Sequence, residues 1–195
     1  MLSRFIAFLM LIITIPILLV IGFAIKIGYP GPLFYSQIRE GKNGKAFRIW
    51  KLRTMVKNSK ELLDNLLLKD KDRVAEWMDF GHLKNDPRIA GPIGRFARKS
   101  NLDELPQLWN ICRGEMAFIG PRPLELFLAE QLAPRVRAIR NTALPGLTGL
   151  WQIGFRDEVN IQQMQRYDLL YIRCQGLPID FYILWRTVIM GWKKN

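Results

Sequence analysis

The sequence predicts a mostly α-helical (α+β) fold with one small β-hairpin. An uncharged apolar run at residues 5–25 is long enough for a membrane helix, and apolar residues recur at helical spacing in residues 57–84 and 161–175. The turn sequence GKNG at residues 41–44 separates two short segments that read as strands. Helices are therefore expected to dominate, and the hairpin is the predicted β element.

The length, charge and composition of the chain limit the classes of function that it could have. The chain has 195 residues, of which 49% are hydrophobic, enough for one domain with appendages. The 29 Lys and Arg residues against 17 Asp and Glu give a net charge of +12, which predicts nucleic acid, acidic lipid headgroups or phosphorylated substrates as partners. With two cysteines and the single histidine His82, a disulfide framework, a multi-histidine metal site and a Ser-His-Asp hydrolase are all improbable.

The N-terminal apolar run lies between Arg4 and Lys26. Its 21 residues would reach roughly 30 Å as a helix, about the thickness of a bilayer core. A cleaved signal peptide would have a shorter apolar run followed by small residues, which does not fit Ile25-Lys26-Ile27. Pro16 removes a hydrogen bond to the carbonyl of Ile12, so a spanning helix would be kinked there.

The hairpin is predicted to pair Leu33–Gln37 with residues 46–52. It would bring Arg39, Lys51 and Arg53 towards one region, although solvated lysines on an exposed hairpin are an equal alternative. Residues 57–84 then predict two amphipathic helices with a break at 69–72. Their apolar faces suit either a protein core or the headgroup layer of a membrane.

The central stretch, residues 98–123, combines acidic, basic and turn residues. Asp103 and Glu104 follow Ser100 and Asn101, which favour helix caps, and Pro106 predicts that the regular helix begins near Leu105. Acidic residues are common at ordinary helix starts, so the pair alone is weak evidence of a site. Adjacent side chains of a regular helix point about 100° apart, so the two carboxylates can share a site only if this region is irregular.

The motif IGPRP at residues 119–123 strengthens the functional interpretation. Pro121 and Pro123 restrain the backbone around Arg122, so its guanidinium loses less freedom when it binds a phosphate. Five more cations precede it in the chain: Lys51, Arg53, Arg95, Arg98 and Lys99. Two carboxylates in a cationic surround are what phosphoryl transfer uses.

The C-terminal part predicts further helices. Residues 124–139 read as a helix interrupted by Pro134, and residues 161–175 as a helix that carries Asp168. The glycine-rich loop 144–154 carries Trp151 and Gln152. The last segment is too charged for a comfortable membrane span, and its aromatic and basic residues suit either the membrane interface or a packed helix: Tyr182, Trp185, Trp192, Lys193 and Lys194.

Three segments together resemble a known family. The run SNLDELPQLWNICRGEMAFIGPRP, WKLRTM at 50–55 and LPGLTGLWQI at 144–153 resemble the bacterial sugar transferase family of monotopic phosphoglycosyl transferases, over nearly the whole chain. The resemblance implies a re-entrant membrane helix at residues 1–28, broken at Pro16, and a cytoplasmic catalytic domain at 29–195 with interfacial helices on the bacterial inner membrane. Members commonly carry Ser-Pro at the break, whereas this chain has Ile15-Pro16.

The same resemblance implies the chemistry. A hexose 1-phosphate would pass from a UDP-hexose to polyprenyl phosphate with release of UMP, through a covalent intermediate on Asp103. Glu104 would be a second catalytic residue and a Mg²⁺ ligand, with Asp168 as a possible second ligand. The implied substrate-binding residues are Lys51, Arg53, Arg98, Pro121, Arg122, Pro123 and Gln152. In the loop 144–154, Trp151 and Gln152 could face the uracil ring of the donor or pack in the core.

The resemblance also narrows the partners. Lipids with anionic headgroups are expected to bind the protein, and nucleic acid is not expected to bind it. The sequence does not decide whether the protein forms a homodimer. The element DPRI at residues 86–89 resembles the branch that handles hexoses, which favours galactose or glucose over an N-acetylated sugar. The alternatives are a non-catalytic basic protein that binds the membrane surface, and a glycosyltransferase that would release UDP.

Overall fold

A computed structural model describes residues 1–153 and 160–193. Within these ranges the chain is mostly helical with two small sheets, as the sequence predicted apart from the second sheet. The helices are α1 Leu2–Gly28, α2 Ser59–Lys69, α3 Lys71–Phe80, α4 Gly91–Lys99, α5 Leu108–Arg113, α6 Leu126–Glu130, α7 Pro134–Arg140, α8 Ile161–Cys174 and α9 Leu177–Lys193. The strands are β1 Phe34–Glu40, β2 Ala46–Leu52, β3 Ala117–Ile119 and β4 Gly146–Thr148, and two 3₁₀ segments lie at Lys42–Gly44 and Leu102–Gln107.

Helix α1 is one continuous element that runs through Pro16. The predicted break at Pro16 is therefore wrong as an interruption of the helix. A proline removes one backbone hydrogen bond and leaves the remaining turns intact, so a helix can continue through it. Two residues before Pro16, the hydroxyl of Thr14 donates to the carbonyl of Leu11 at 3.1 Å.

Both halves of α1 pack on the rest of the protein. Near its start, Ala7 is buried in a cluster with Leu108 of α5. Near its end, Leu18 and Ile25 are buried with Leu52 of β2. By length and composition α1 could cross a membrane, and its other side exposes large apolar residues: Phe5, Phe8, Ile12, Ile13, Val20 and Phe23.

The predicted hairpin is confirmed. Strands β1 and β2 are antiparallel, with a register that runs from Phe34 opposite Leu52 to Glu40 opposite Ala46. The observed β2 has the predicted bounds, whereas β1 ends three residues later than Gln37, the predicted last residue of the strand. The 3₁₀ segment Lys42–Gly44 makes the turn, as the GKNG sequence predicted.

Helices α2 and α3 confirm the predicted pair of amphipathic helices. The break falls at Asp70, whose carboxylate accepts hydrogen bonds from the backbone N–H groups of Asp72 and Arg73 and caps α3. Neither helix contains a fully buried residue. Some of their apolar side chains are exposed, namely Leu62, Leu68, Val74 and Met78, whereas others such as Leu66 and Trp77 are half-buried.

A second, parallel sheet joins β3 to β4 and was not predicted. It pairs Ala117 with Gly146 and Ile119 with Thr148, so the IGPRP motif lies directly beside the LPGLTG segment. Gly120 and Gly146 approach so closely that a side chain at either would collide with the backbone of the other segment. These glycines therefore allow the two motifs to meet.

Among the C-terminal helices, α9 contacts both strands of this second sheet. Residues 124–139 form α6 and α7, with Pro134 as the first residue of α7. In α9, Ile183 is fully buried against Tyr171 of α8. The opposite side of α9 exposes Phe181, Tyr182, Trp185 and Val188, so this helix both packs and presents apolar surface. The side chains of Trp192, Lys193 and Lys194 lie outside the described residues.

Candidate active site

The two central carboxylates lie in a 3₁₀ segment, not at the start of an α-helix. This segment spans Leu102–Gln107, and the regular helix α5 begins at Leu108 rather than near Leu105 as predicted. Ser100 does not cap the following segment, because its hydroxyl donates to the carbonyl of Phe96 at 2.8 Å, within α4. The segment is therefore not a regular α-helix, but its 3₁₀ geometry does not turn the two adjacent side chains towards one another.

Glu104 lines a narrow cleft and pairs with Lys51. The Nζ of Lys51 lies 3.0 Å from Oε1 of Glu104, and these side chains are 22% and 12% exposed. The cleft lies between the hairpin, the 3₁₀ segment and the loops around β3 and β4. Its polar lining consists of Arg39, Lys51, Glu104, Gln107, Arg122 and Gln152.

Asp103 precedes Glu104 but is not part of that lining. It is 7% exposed, so protein covers most of its surface. Side chains of consecutive residues in a 3₁₀ helix point about 120° apart, which explains why Asp103 and Glu104 have different surroundings. The structure thus places the two carboxylates side by side along the chain, with Glu104 on the cleft wall.

Arg39 is a cleft residue that was not among the predicted site residues. Its guanidinium pairs with Glu125 at 3.1 Å and donates to the side-chain oxygen of Gln37 at 2.6 Å. Burial lowers the pKa of Arg39, and the charge of Glu125 opposes that effect. The hairpin register sets Arg39 opposite Phe47 and Lys51 opposite Tyr35, which places Arg39 and Lys51 on the same face of the hairpin. The sequence signal that could have found Arg39 was therefore the strand register.

Arg122 projects from the stiff IGPRP loop into the cleft. Its guanidinium lies 4.6 Å from the ring centre of Trp151, a cation–π contact. Trp151 is 5% exposed and packs in the core, which settles the sequence-based alternative between uracil and core in favour of the core. Gln152 does line the cleft, and its amide nitrogen donates to the carbonyl of Leu147 at 3.1 Å.

Asp168 lies beneath this loop and pairs with Arg140. The Oδ2 of Asp168 is 2.7 Å from Nη2 of Arg140, and these side chains are 1% and 5% exposed. Burial raises the pKa of Asp168 to about 6, against the opposing effect of Arg140. Sequence reasoning missed Arg140, because nothing local indicates which acid a helical arginine will meet 28 residues away.

The two predicted metal ligands belong to separate ion pairs. Glu104 contacts Lys51 in the cleft, whereas Asp168 contacts Arg140 outside its lining. Among the described residues no group of three or more His, Cys, Asp or Glu residues is arranged to hold a metal. Mg²⁺ commonly binds through one or two carboxylates together with substrate phosphates, and Glu104 on the cleft wall fits that donor chemistry.

Two predicted substrate-binding arginines point elsewhere. Arg53 is 7% exposed, and its guanidinium donates to the carbonyls of Tyr29 and Pro30, so it holds the loop that follows α1. Arg98 in α4 lies close enough to Asp86 to affect its pKa: burial raises that pKa, but Arg88 and Arg98 lower it overall. The structure does not bring Arg53 or Arg98 to the cleft lining.

Comparison with known proteins decides the family. Residues 1–194 match the family described as bacterial sugar transferase. The chain belongs to that family. Its motifs DELPQ and GPRP, recognised above by resemblance, meet at the cleft between the hairpin and the second sheet.

The most similar relatives include named bacterial sugar transferases. The chain is 43% identical to an undecaprenyl-phosphate galactose phosphotransferase from Salmonella typhimurium over 80% of its length, and 40% identical to a UDP-galactose-lipid carrier transferase from Erwinia amylovora over 94%. It is 37% identical to a UDP-glucose:undecaprenyl-phosphate glucose-1-phosphate transferase from Klebsiella pneumoniae over 94%. The chain spans 33%, 38% and 37% of the length of these relatives, respectively.

Proposed function

We propose that this bacterial sugar transferase moves a hexose 1-phosphate from a UDP-hexose to polyprenyl phosphate and releases UMP. The observation that best supports the proposal is the cleft in which Glu104, paired with Lys51 at 3.0 Å, meets Arg39 and Arg122 next to Asp103. Three cations on one cleft suit a diphosphate, and the carboxylates supply a nucleophile and a metal ligand.

In the first half-reaction the substrate is the UDP-hexose. A carboxylate oxygen of Asp103 attacks the phosphorus that carries the sugar, and the bond from that phosphorus to the bridging oxygen breaks. UMP leaves with the electron pair of that bond. The product on the protein is an acyl phosphate that joins Asp103 to the hexose 1-phosphate.

In the second half-reaction the acceptor is polyprenyl phosphate. One of its phosphate oxygens attacks the same phosphorus, and the bond from that phosphorus to Asp103 breaks. The carboxylate is regenerated, and the lipid leaves as a diphosphate that carries the hexose. Splitting the transfer into two displacements lets one cleft serve a soluble donor and a lipid acceptor in turn.

The cleft residues take distinct roles. Lys51, Arg39 and Arg122 bind phosphate oxygens and offset the negative charge around Asp103, while Pro121 and Pro123 keep Arg122 in place. Gln152 hydrogen-bonds the donor from the opposite wall. Glu104 would hold Mg²⁺, which supplies charge neutralisation at the diphosphate when bound. In this proposal Arg53 is structural, Asp168 acts outside the cleft lining and Arg98 has no part in the site.

The protein is proposed to sit on one face of the membrane. The start of α1 packs on α5 and its end packs on β2, so both ends remain on the domain that contains the cleft. A helix that crossed the bilayer would carry one end roughly 30 Å away from that domain. We therefore infer a monotopic placement, in which the continuous helix α1 lies in one leaflet without crossing the bilayer, with the cleft at the cytoplasmic face of the bacterial inner membrane and with α2 and α3 in the headgroup layer.

The donor sugar is proposed to be galactose or glucose. The names of the Salmonella, Erwinia and Klebsiella relatives refer to these two hexoses. The non-catalytic alternative, a basic protein that binds the membrane surface, is not favoured, because it gives no reason for the arrangement of the cleft or for membership in the transferase family.

The nucleotide product tests the proposal. Protein in nanodiscs is incubated with Mg²⁺, polyprenyl phosphate and UDP-galactose or UDP-glucose, and the nucleotides are separated by chromatography. The expected product is UMP, and Asp103→Asn lowers its rate by at least about 10⁴-fold because the amide is not a nucleophile. Asp64→Asn, an exposed carboxylate on α2, should leave the rate unchanged. Release of UDP, or full activity of Asp103→Asn, would contradict the mechanism.

A further inference from the structure

The buried ion pair of Arg140 and Asp168 forms hydrogen bonds with both the backbone N–H and the backbone carbonyl of Arg122. Arg140 at the end of α7 donates through Nη2 to the carbonyl oxygen of Arg122 at 2.7 Å. Asp168 in α8 accepts through Oδ1 from the backbone N–H of Arg122 at 3.4 Å. Two bonds from Arg140 to Asp168, at 2.7 and 3.2 Å, close the network.

Burial of this ion pair has a cost in desolvation free energy. Its side chains are 1% and 5% exposed, so both charges have lost nearly all contact with water. Replacement of a buried ion pair by apolar residues of similar volume is often neutral or even stabilising in proteins. Stability alone therefore does not explain why Asp168 and Arg140 occupy these positions.

We propose that Arg140 and Asp168 are positioning residues that fix the main chain of Arg122 so that its guanidinium is preorganised for the diphosphate of the donor. The inference rests on the proposed function, because it assumes that Arg122 binds that diphosphate. Trp151 supports the guanidinium by its cation–π contact at 4.6 Å. Two prolines, two backbone hydrogen bonds and one aromatic ring thus restrict a single side chain.

Preorganisation acts on binding rather than on the chemical step. A long side chain that is already ordered loses less rotamer freedom when the donor arrives, so the donor binds more tightly. Release of the loop should therefore raise the KM for UDP-hexose more than it lowers kcat. A pair that served only stability would change the melting temperature and leave the KM unaltered.

The test is the double variant Asp168→Leu/Arg140→Met in the full chain in nanodiscs. The KM for UDP-hexose is expected to rise at least about 10-fold while the melting temperature stays within a few degrees of the unmodified protein. The matched control is Asp86→Leu/Arg88→Met, which removes another buried pair, 2.6 Å long with side chains 2% and 8% exposed, away from the cleft lining. The control is expected to leave the KM within threefold.

Arg140→Lys tests the same inference if the double variant does not fold. It keeps the positive charge beside Asp168 but removes the planar fork that reaches both Asp168 and the Arg122 carbonyl, so the KM should still rise severalfold. A folded double variant, or a folded Arg140→Lys protein, with a KM within threefold of the unmodified protein would overturn the inference. UMP release by the unmodified protein tests the proposed function separately, so failure of one claim is distinguishable from failure of the other.

Discussion

Removal of the Lys51 ammonium should slow donor turnover strongly. Lys51 lies 3.0 Å from Glu104, and the two side chains are 22% and 12% exposed. At that separation the Coulomb attraction is about 5.5 kcal/mol for an effective dielectric constant of about 20. Desolvation offsets most of it, and hydrogen bonds to charged groups contribute about 1.5–3 kcal/mol net. Lys51→Met is therefore expected to lower kcat/KM for UDP-hexose by about 10- to 150-fold.

The assay is UMP release at several donor concentrations, with circular dichroism to verify folding. Lys51→Arg keeps the charge and should recover part of the lost activity. Arg113→Met is the matched control: its bond to Glu115 is 2.9 Å long, but the arginine side chain is 56% exposed, so its removal should change kcat/KM less than twofold. The reasoning is refuted if folded Lys51→Met keeps kcat/KM within twofold of the unmodified protein.

Three further predictions concern pH and the membrane. Because burial raises the pKa of Asp168 to about 6, kcat/KM should fall as the pH drops below about 6 and the pair with Arg140 loses its negative partner. The folded state binds the proton more tightly than the unfolded chain, so this group alone should raise the unfolding free energy by up to about 3 kcal/mol as the pH falls from 6 towards 4. If neither kcat/KM nor the unfolding free energy changes over this pH range, the raised pKa of Asp168 is contradicted. Single cysteines at positions Ser3 and Gly28, in a chain without its native cysteines, should both react with an impermeant thiol reagent from the cytoplasmic side, and labelling from opposite sides would show a spanning helix. Leu68→Glu with Met78→Glu should weaken binding to anionic vesicles in a flotation assay, because these side chains are 84% and 68% exposed; unchanged flotation would place α2 and α3 off the membrane.

Local signals in the sequence predicted the local structure well. The GKNG turn set the hairpin, and β2 was predicted at its observed bounds. The helix expected at residues 161–175 is α8, which ends one residue earlier at Cys174. In each case residues within one or two turns of each other determine the outcome, through turn chemistry, capping or apolar spacing.

Contacts between distant segments were harder to predict. Strands β3 and β4 have three residues each, too few for a periodic pattern, and their pairing depends on the close approach of Gly120 and Gly146. The start of α5 was misplaced because Pro106 was taken as a residue of the first α-helical turn, whereas it lies inside a 3₁₀ segment. The β3–β4 pairing and the start of α5 both depend on tertiary packing, which no local sequence pattern encodes.

The site was predicted in its composition more than in its geometry. Lys51, Glu104, Arg122 and Gln152 do meet in one cleft. Positive charge alone could not show which arginines turn towards it, since a guanidinium serves equally well to hold backbone carbonyls. Arg53 does so at the loop after α1.

The covalent intermediate on Asp103 is the central claim, and intact protein mass tests it most directly. Purified protein in nanodiscs is exposed to Mg²⁺ and UDP-galactose or UDP-glucose without polyprenyl phosphate, then measured by mass spectrometry beside Asp103→Asn. The account predicts a mass increase equal to one hexose phosphate, formed together with UMP, absent from Asp103→Asn and discharged when polyprenyl phosphate is added. An unmodified mass in folded protein that turns over when both substrates are present would contradict the covalent mechanism and indicate direct transfer from donor to acceptor.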